Sequence, residues 1–487
     1  MEIIQSAKPV YAVAAALLAV IPIYLSGEKR QNLREAWTFL AAFATLYIVT
    51  SMLPDVLEGR VVEYGLLTVL PGLEIKFRVD ALGMLFASVA SFLWVFTSIY
   101  SIGYMRSLNE ERQTRFFAYF AVSMAATMGA AFAANMFTLF LFYEAITLAT
   151  FPLVAHEQTP EAVRGGRIYL VYLLGTSLLF LMFAIVLTYV TAGTLDFSLS
   201  GILAGKASDL MLTVIFILYM AGIGKAGIMP FHGWLPSAMV APTPVSALLH
   251  AVAVVKVGVF TVIRVALFIF GDGALRGLHV HIPAAYAASF TIIAASFIAL
   301  TKDNLKARLA YSTISQLSYI VLGVFLLTPA GMAGGVFHIA SHAFSKITLF
   351  FCAGSIYAAS HRKNVSELAG IGRKLPLTMS AFFIGSLGMI GIPPLSGFVS
   401  KWYLSLGALK GGNAVFMIVL LVSSLLNAAY FLPIVYKAFF EKPENPHEDV
   451  REIPLMALPL MVTAIGAVLI GVFPDFFIRL AELAVRK

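Results

Sequence analysis

The sequence predicts an all-α polytopic membrane protein with about fourteen transmembrane helices, and three observations carry that reading. First, 60% of the 487 residues are hydrophobic and 12% are charged, with a mean hydropathy of +0.90; soluble domains carry roughly twice that share of charge. Soluble domains of this combined length need more charge on their surfaces to stay in solution, which leaves a chain embedded in lipid. Second, apolar segments recur from end to end, each close to the roughly 20 residues a helix needs to cross the hydrocarbon core. The short alternating segments of a membrane β-barrel are absent from the sequence. Third, a proline-containing motif occurs twice, at an offset that relates one half of the chain to the other.

In order, the segments lie near 9–25, 36–53, 81–104, 115–134, 136–155, 166–192, 209–231, 243–270, 284–300, 308–327, 332–358, 377–407, 413–436 and 453–473. The first is followed by Gly27, Glu28 and Lys29 without a small-residue cleavage pattern, so it reads as a retained helix. With the next two it makes an N-terminal unit over 1–114. The fifth carries Glu144 inside an apolar run, and the seventh carries Lys225 five residues before Pro230. In the eighth, His250 precedes Lys256 by six residues, and Arg264 follows. The eleventh holds His338, His342 and Lys346 at successive i+4 spacings, which puts all three on one helix face. The twelfth contains Pro393 and Pro394, with Lys401 seven residues further on. Lys437, near the end of the thirteenth, reads as a snorkelling or orienting cation. The last unit, 453–487, is a final span and a short amphipathic tail with Arg479, Glu482, Arg486 and Lys487.

The repeated motif is Gly227-Ile228-Met229-Pro230-Phe231-His232-Gly233-Trp234 against Gly391-Ile392-Pro393-Pro394-Leu395-Ser396-Gly397-Phe398. The same offset carries the fourth segment onto the ninth and the eighth onto the thirteenth. Equivalent helices are then five spans apart, an odd number, so the units 115–270 and 284–438 are expected to be inverted relative to each other. Proline inside a helix removes a backbone hydrogen bond and breaks it. Breaks at matching places in two inverted units point to an ion path, because the freed backbone groups face a cavity.

An ionisable group at mid-bilayer costs roughly 2.5–3.5 kcal/mol on insertion scales, so each one needs a reason. Glu144, Lys225, His250, Lys256, His338, His342, Lys346 and Lys401 together suit a proton relay. A carboxylate near a buried lysine tunes whether the lysine keeps its proton. Histidine, with an ordinary pKa near 6.5, passes protons readily. A metal ligand set is disfavoured, because lysines line the row and the chain has one cysteine, Cys352. No G-x-G-x-x-G follows a strand and no G-x-x-x-x-G-K-[ST] occurs, so no cofactor is expected. Any redox or ATP chemistry that powers the protein belongs to another chain. The net charge of +8 reads as membrane orientation and not as nucleic-acid binding. About 18 Lys and Arg flank one set of loops and 10 the other, which places both termini on the non-cytoplasmic side of a cell membrane.

The stretch Gly222-Ile223-Gly224-Lys225-Ala226-Gly227-Ile228-Met229-Pro230-Phe231-His232-Gly233-Trp234-Leu235-Pro236, continuing through Ala241-Pro242-Thr243-Pro244 to His250 and Lys256-Val257-Gly258, resembles the antiporter-like subunits of respiratory complex I, Mrp-type cation/proton antiporters and membrane-bound hydrogenases. So do Asp303-Asn304-Leu305-Lys306, Ala310-Tyr311-Ser312-Thr313-Ile314-Ser315-Gln316, the positions His338, His342, Ala343, Lys346, Leu349 and Phe350, and Gly391-Ile392-Pro393-Pro394 with Gly397-Phe398. The resemblance implies fourteen helices with two inverted five-helix units. It also implies roles: Glu144 and Lys225 as the carboxylate–lysine pair of a first half-channel, and His250 and Lys256 as a connecting relay. His338, His342 and Lys346 would form the second-half relay, and Lys401 the terminal proton-holding group. Some family members carry glutamate at that last place. Only 475–487 follow the fourteenth span, so the chain looks like the D subunit of Mrp-type antiporters or its counterpart in energy-converting complexes.

The expected partners are other membrane subunits of a hetero-oligomeric complex, membrane lipid and H⁺, with exchange against Na⁺ left open. The chain is expected to carry no redox centre of its own, and an oxidoreductase of the NADH dehydrogenase or hydrogenase type is one of the complexes it would serve. Two alternatives stay open: a passive membrane scaffold within a complex, and a stand-alone carrier of another solute.

Overall fold

The computed structural model describes residues 2–70, 72–443, 447 and 449–486, so Lys487 of the tail lies outside the described residues. Helices occupy every one of the expected segments. In chain order they are α1 (Lys8–Ser26), α2 (Gln31–Leu57), α3 (Ala81–Ser107), α4 (Gln113–Ala131), α5 (Met136–Val154), α6 (Pro160–Ala192), α7 (Asp209–Gly222) and α8 (Thr243–Gly277). They continue as α9 (His281–Thr301), α10 (Leu305–Phe325), α11 (Pro329–Ser360), α12 (Pro376–Ile390), α13 (Ser396–Lys410), α14 (Ala414–Phe440), α15 (Pro454–Val472) and α16 (Asp475–Val485). Among the described residues, ten helices are long and apolar enough to cross a membrane, and α7 and α12 are shorter apolar helices. The polar content of α10, which includes Lys306, Arg308, Ser312 and Gln316, keeps it out of that ten.

Both expected breaks are present. α7 stops at Gly222, a single 3₁₀ turn holds Gly224–Ala226, and helix resumes at Trp234. α12 stops at Ile390, and α13 begins at Ser396. Gly227 (φ +68°) and Gly391 (φ +88°) turn the chain in the left-handed region, which a residue with a Cβ adopts only with strain. The bonds Met229–Pro230 and Pro393–Pro394 are cis.

α8 and α11 form the centre and are buried along their apolar stretches. Apolar area alone does not drive helices together in lipid, so close packing and interhelical hydrogen bonds must do so. Gly354 of α11 lies against Tyr100 of α3, whose hydroxyl donates to the Phe351 carbonyl at 2.7 Å. Large apolar side chains such as Leu25, Tyr47, Val171, Val190, Leu210 and Leu425 face outward, as a lipid-facing surface requires.

One element departs from the all-helical reading. β1 (Ile3–Gln5) pairs parallel with β2 (Val61–Leu70), which pairs antiparallel with β3 (Leu73–Val79). Glu63 stands opposite Arg78, and its carboxylate takes Lys76 Nζ at 2.5 Å and Arg78 Nε at 2.7 Å. Burial pushes the Glu63 carboxyl up, but the two cations outweigh it and hold the group below the usual carboxylate value. α16 lies at this same end, with Arg479 donating to the Leu57 carbonyl at 2.9 Å. Both chain ends therefore sit at the end of the bundle that carries the sheet.

Several loop cations are tied into the protein. Buried Arg34 bonds Glu28 at 2.9 Å and Gln113 at 2.7 Å, and Arg106 pairs with Glu35 at 2.5 Å, fastening α2 to α3 and α4.

Candidate functional site

The eight candidate residues lie on four helices and the first break, all inside the bundle except the half-buried Glu144. Lys225 sits in the 3₁₀ turn after α7. Its ammonium donates to the Tyr143 carbonyl and lies 3.4 Å from the centroid of the Tyr143 ring, while the Lys225 amide donates to the Tyr143 hydroxyl at 3.2 Å. Glu144, the next residue on α5, accepts no hydrogen bond on either carboxylate oxygen. The carboxylate and the lysine are not joined as an ion pair; Tyr143, the residue before Glu144, takes the cation.

Gly258 brings the first break against α8. A Cβ at this position would collide with the Lys225 backbone, so only glycine lets the turn approach the helix two residues beyond Lys256. Lys256 Nζ lies 2.7 Å from Nδ1 of His342 on α11. His250, in a π-helical stretch of α8 (Leu248–Val252), packs its ring 4.9 Å from Phe350 and has no hydrogen-bond partner on either nitrogen. It does not join Lys256 by a direct bond.

On α11, the His342 and His338 rings are 6.0 Å apart. His338 Nε2 is 3.0 Å from Gln316 Oε1, and Nδ1 is 2.8 Å from Ser400 Oγ. Gln316 Oε1 is an acceptor, so Nε2 carries a proton here. The Ser400 hydroxyl then has two settings: it accepts from an imidazolium while donating to the Gly397 carbonyl at 3.0 Å, or it turns and donates to a neutral ring. Lys346 donates to Ser312 Oγ at 2.8 Å, and the Ser312 hydroxyl lies 3.1 Å from the Tyr430 oxygen, which is free to accept from it. Tyr430 donates to Asn427, whose amide donates to the Met389 carbonyl at 3.2 Å.

The second break supplies the end of the row. Met389 and Ile390 are the last residues of α12, where the helix leaves its final carbonyls without intrahelical partners and carries the negative end of its dipole. Lys401 Nζ, on α13, donates to the Met389 carbonyl at 2.9 Å, the Ile390 carbonyl at 2.8 Å and Ser424 Oγ at 2.9 Å. Gln316 donates to the same Met389 carbonyl at 3.5 Å. Two polar branches, one through His338 and Gln316 and one through Ser312, Tyr430 and Asn427, therefore converge on one carbonyl exposed by the break.

The structure adds Tyr143, Ser312, Gln316, Ser400, Ser424, Asn427 and Tyr430 to the eight candidates. It also adds Lys306, whose ammonium donates to the Ala241 carbonyl at 2.6 Å. Among the described residues, none of the lysines in the row forms an ion pair with a carboxylate, and no group of three His, Cys, Asp or Glu side chains gathers as a metal site. Arg264 differs, being paired with Asp80 at 2.5 Å.

Residues 133–427 match the family described as NADH:quinone oxidoreductase/Mrp antiporter, transmembrane, and residues 71–117 match the N-terminal region of complex I chain 5. The chain belongs to this family. It is 30% identical to NADH-quinone oxidoreductase subunit N of Desulforudis audaxviator, over 94% of this chain and 95% of that one. It is 32% identical to subunit L of the same enzyme from Mycobacterium tuberculosis, over 93% of this chain and 73% of that one. The A/B subunit of a probable K⁺/H⁺ antiporter from Rhizobium meliloti is 29% identical over 94% of this chain, which spans 46% of that longer protein. Among solved structures, a chain of the Mrp complex from Dietzia superposes with a TM-score of 0.88 at 23% identity, covering 98% of this chain and 96% of that one. A chain of an archaeal membrane-bound sulfane sulfur reductase does so at 0.88 and 24% identity, covering 99% and 97%. These two likenesses establish the fold.

Proposed function

We propose that this chain is a proton-translocating membrane subunit of a multi-subunit cation/proton antiporter or redox-driven ion pump, with Glu144, Lys225, His250, Lys256, His338, His342, Lys346 and Lys401 as its relay. The observation that carries the reading is the row of buried lysines running to the second break, each held by neutral oxygen or nitrogen atoms and not by a fixed counter-charge. A proton added to or removed from such a group changes its bonding without breaking a salt bridge. The Lys256–His342 contact suits direct transfer, and the Ser400 hydroxyl can switch its donor direction as the imidazole gains or loses charge.

The same reading has the chain cross the membrane fourteen times, with 115–270 and 284–438 as inverted units and both termini on the non-cytoplasmic side. The partners are further membrane subunits, and H⁺, with Na⁺ as the exchanged ion in the antiporter variant, is the cargo. The 30% identity to an N subunit supports a subunit of that kind.

Glu144→Ala and Lys225→Ala, each in the assembled complex in vesicles, are expected to abolish proton movement followed with a pH-sensitive dye. Near-normal movement in both variants overturns the reading. Mass spectrometry of co-purifying chains identifies the partners. A chain that purifies by itself and carries a solute unaided overturns the placement in a complex.

A further inference from the structure

Arg264 is fully buried near the end of the regular helix Val254–Arg264 that carries Lys256. Its guanidinium grips Asp80 in a two-pronged pair, Nη1 to Oδ2 at 2.5 Å and Nη2 to Oδ1 at 2.8 Å. Phe197, Phe260 and Phe268 surround it within about 5 Å, and Nε has no partner. Asp80 is the partly exposed member, 18% accessible against 1% for Arg264. Asp80 also caps α3 by accepting from the Gly83 amide at 2.8 Å, and it lines a cavity of about 460 Å³ at the sheet end with Arg60, Arg78 and Phe268. A buried charge pair thus has one face in apolar surroundings and the other on a solvent-facing cavity.

Eight residues of regular helix separate Lys256 from Arg264, roughly 12 Å along the axis. While Asp80 is ionised, the two charges of the pair largely cancel at that distance. Neutralising Asp80 leaves a bare guanidinium two turns from Lys256. Over roughly 12 Å at an effective dielectric near 20, one unit charge moves the protonation midpoint of another by about one pH unit. The other ionisable groups around this helix are His338, His342 and Lys346 on α11, Lys225 at the first break, Glu144 on α5, His250 on α8 and Tyr319 on α10; Arg78 stands at the sheet end. The cations among them add to the field at Lys256, which makes cancellation of Arg264 the more consequential.

We propose that Asp80 and Arg264 are positioning residues for the relay: the pair holds the Lys256 helix against the sheet end and, because the Asp80 carboxylate cancels the Arg264 charge, sets the pH at which Lys256 loads and unloads. This rests on the relay reading above and extends it to an ion pair that tunes the relay without carrying a proton itself.

The test is the pH profile of proton movement in vesicles carrying the assembled complex. Asp80→Asn is expected to shift the alkaline limb down by about one pH unit, because an uncancelled positive charge disfavours the proton on Lys256. Arg264→Gln leaves the carboxylate alone and is expected to shift the limb up by a similar amount. The double variant D80N/R264Q, with both charges removed, is expected to return the midpoint to within a few tenths of a unit of the wild type. A purely structural pair gives lowered rates with an unmoved midpoint, or shifts of one sign in both single variants, and either result overturns the proposal. So does failure of both single variants to assemble. Lys256→Ala is run beside them: if it moves protons normally, the relay reading itself has failed, whatever the Asp80 variants do.

Discussion

The Lys256 ammonium nitrogen lies 2.7 Å from Nδ1 of His342, a nitrogen-to-nitrogen contact that exists only if a single proton lies between the two atoms. Either the lysine donates to an unprotonated ring nitrogen, or a protonated ring nitrogen donates to a neutral amine. His342→Gln keeps a polar group of similar reach but cannot carry a second proton. It is expected to lower proton movement by roughly a hundredfold, in the range that a positioned acid–base group contributes. Assembly of the complex should stay intact by gel filtration, and a rate within a factor of two of the wild type removes His342 from the relay.

How much of this was legible before the fold was known depends on the residue. Lys256, His342 and Lys401 stand out because a charge in an apolar run demands an explanation. Both breaks were legible because proline and glycine act through the backbone, independently of tertiary context. Ser312, Ser400 and Tyr430 were not, because hydroxyls in membrane helices routinely bond their own backbone, as Thr127 does to Ser123 and Ser386 to Phe382. Nothing in the sequence separates those from a hydroxyl turned toward a lysine. The small sheet escaped for another reason: its register depends on Glu63 meeting Lys76 and Arg78, a pairing made only when the hairpin closes. The Glu144–Lys225 pairing was legible as a juxtaposition, but Tyr143 is what holds the lysine, and an aromatic among many aromatics carries no signal of its own.

The half-helix α12 is held from both ends. Its N-cap residue is Leu375, which has no side-chain oxygen to offer; instead Glu452, from the segment before α15, accepts from the Thr378 amide at 2.9 Å and the Thr378 hydroxyl at 2.7 Å. A carboxylate at the positive end of the helix and the Lys401 ammonium at the negative end both favour its present placement. Glu452→Ala is expected to lower stability by about 1 kcal/mol, the usual effect of losing a cap. Measured in detergent by thermal melting, that is a fall of about one degree for a chain of this length. Because the carbonyls of Met389 and Ile390 ride on the same half-helix, proton movement should fall as well, while Glu441→Ala, a surface change nearby in sequence, should leave both unaffected.

His156 gives the bundle a pH dependence at the end opposite the sheet. It lies beyond the end of α5, buried, with Nε2 3.1 Å from the Glu111 carbonyl and its own carbonyl taking Arg115 at 2.7 Å. Burial first, and then the Arg115 charge 3.4 Å from Nδ1, pull its pKa from 6.5 down to about 4. The folded protein thus holds this ring neutral, and the unfolded chain binds the proton more readily below pH 6.5. Stability from this group is complete above that value and is lost as the pH falls from 6.5 toward 4, by about 3 kcal/mol at the end of the window. Melting temperature should decline across that window in the wild type and decline less in His156→Gln. An equal decline in both assigns the acid sensitivity elsewhere.

The two branches that meet at the Met389 carbonyl make a prediction about additivity. One runs through His338 and Gln316, the other from Lys346 through Ser312, Tyr430 and Asn427. Tyr430→Phe removes the hydroxyl that joins Ser312 to Asn427 and changes little else, since the ring keeps its packing 4.6 Å from Phe431. If either branch can deliver a proton to Lys401, Tyr430→Phe and His338→Gln should each slow proton movement by no more than about tenfold, and the double variant should lose far more than the product of the two. Independent, non-communicating groups give simple multiplication. A single variant that alone abolishes movement reduces the two branches to one obligatory path, and identifies which. Lys401→Ala discriminates further: it lies beyond the convergence, so its loss should be complete in the wild-type background and no deeper when either branch variant is combined with it.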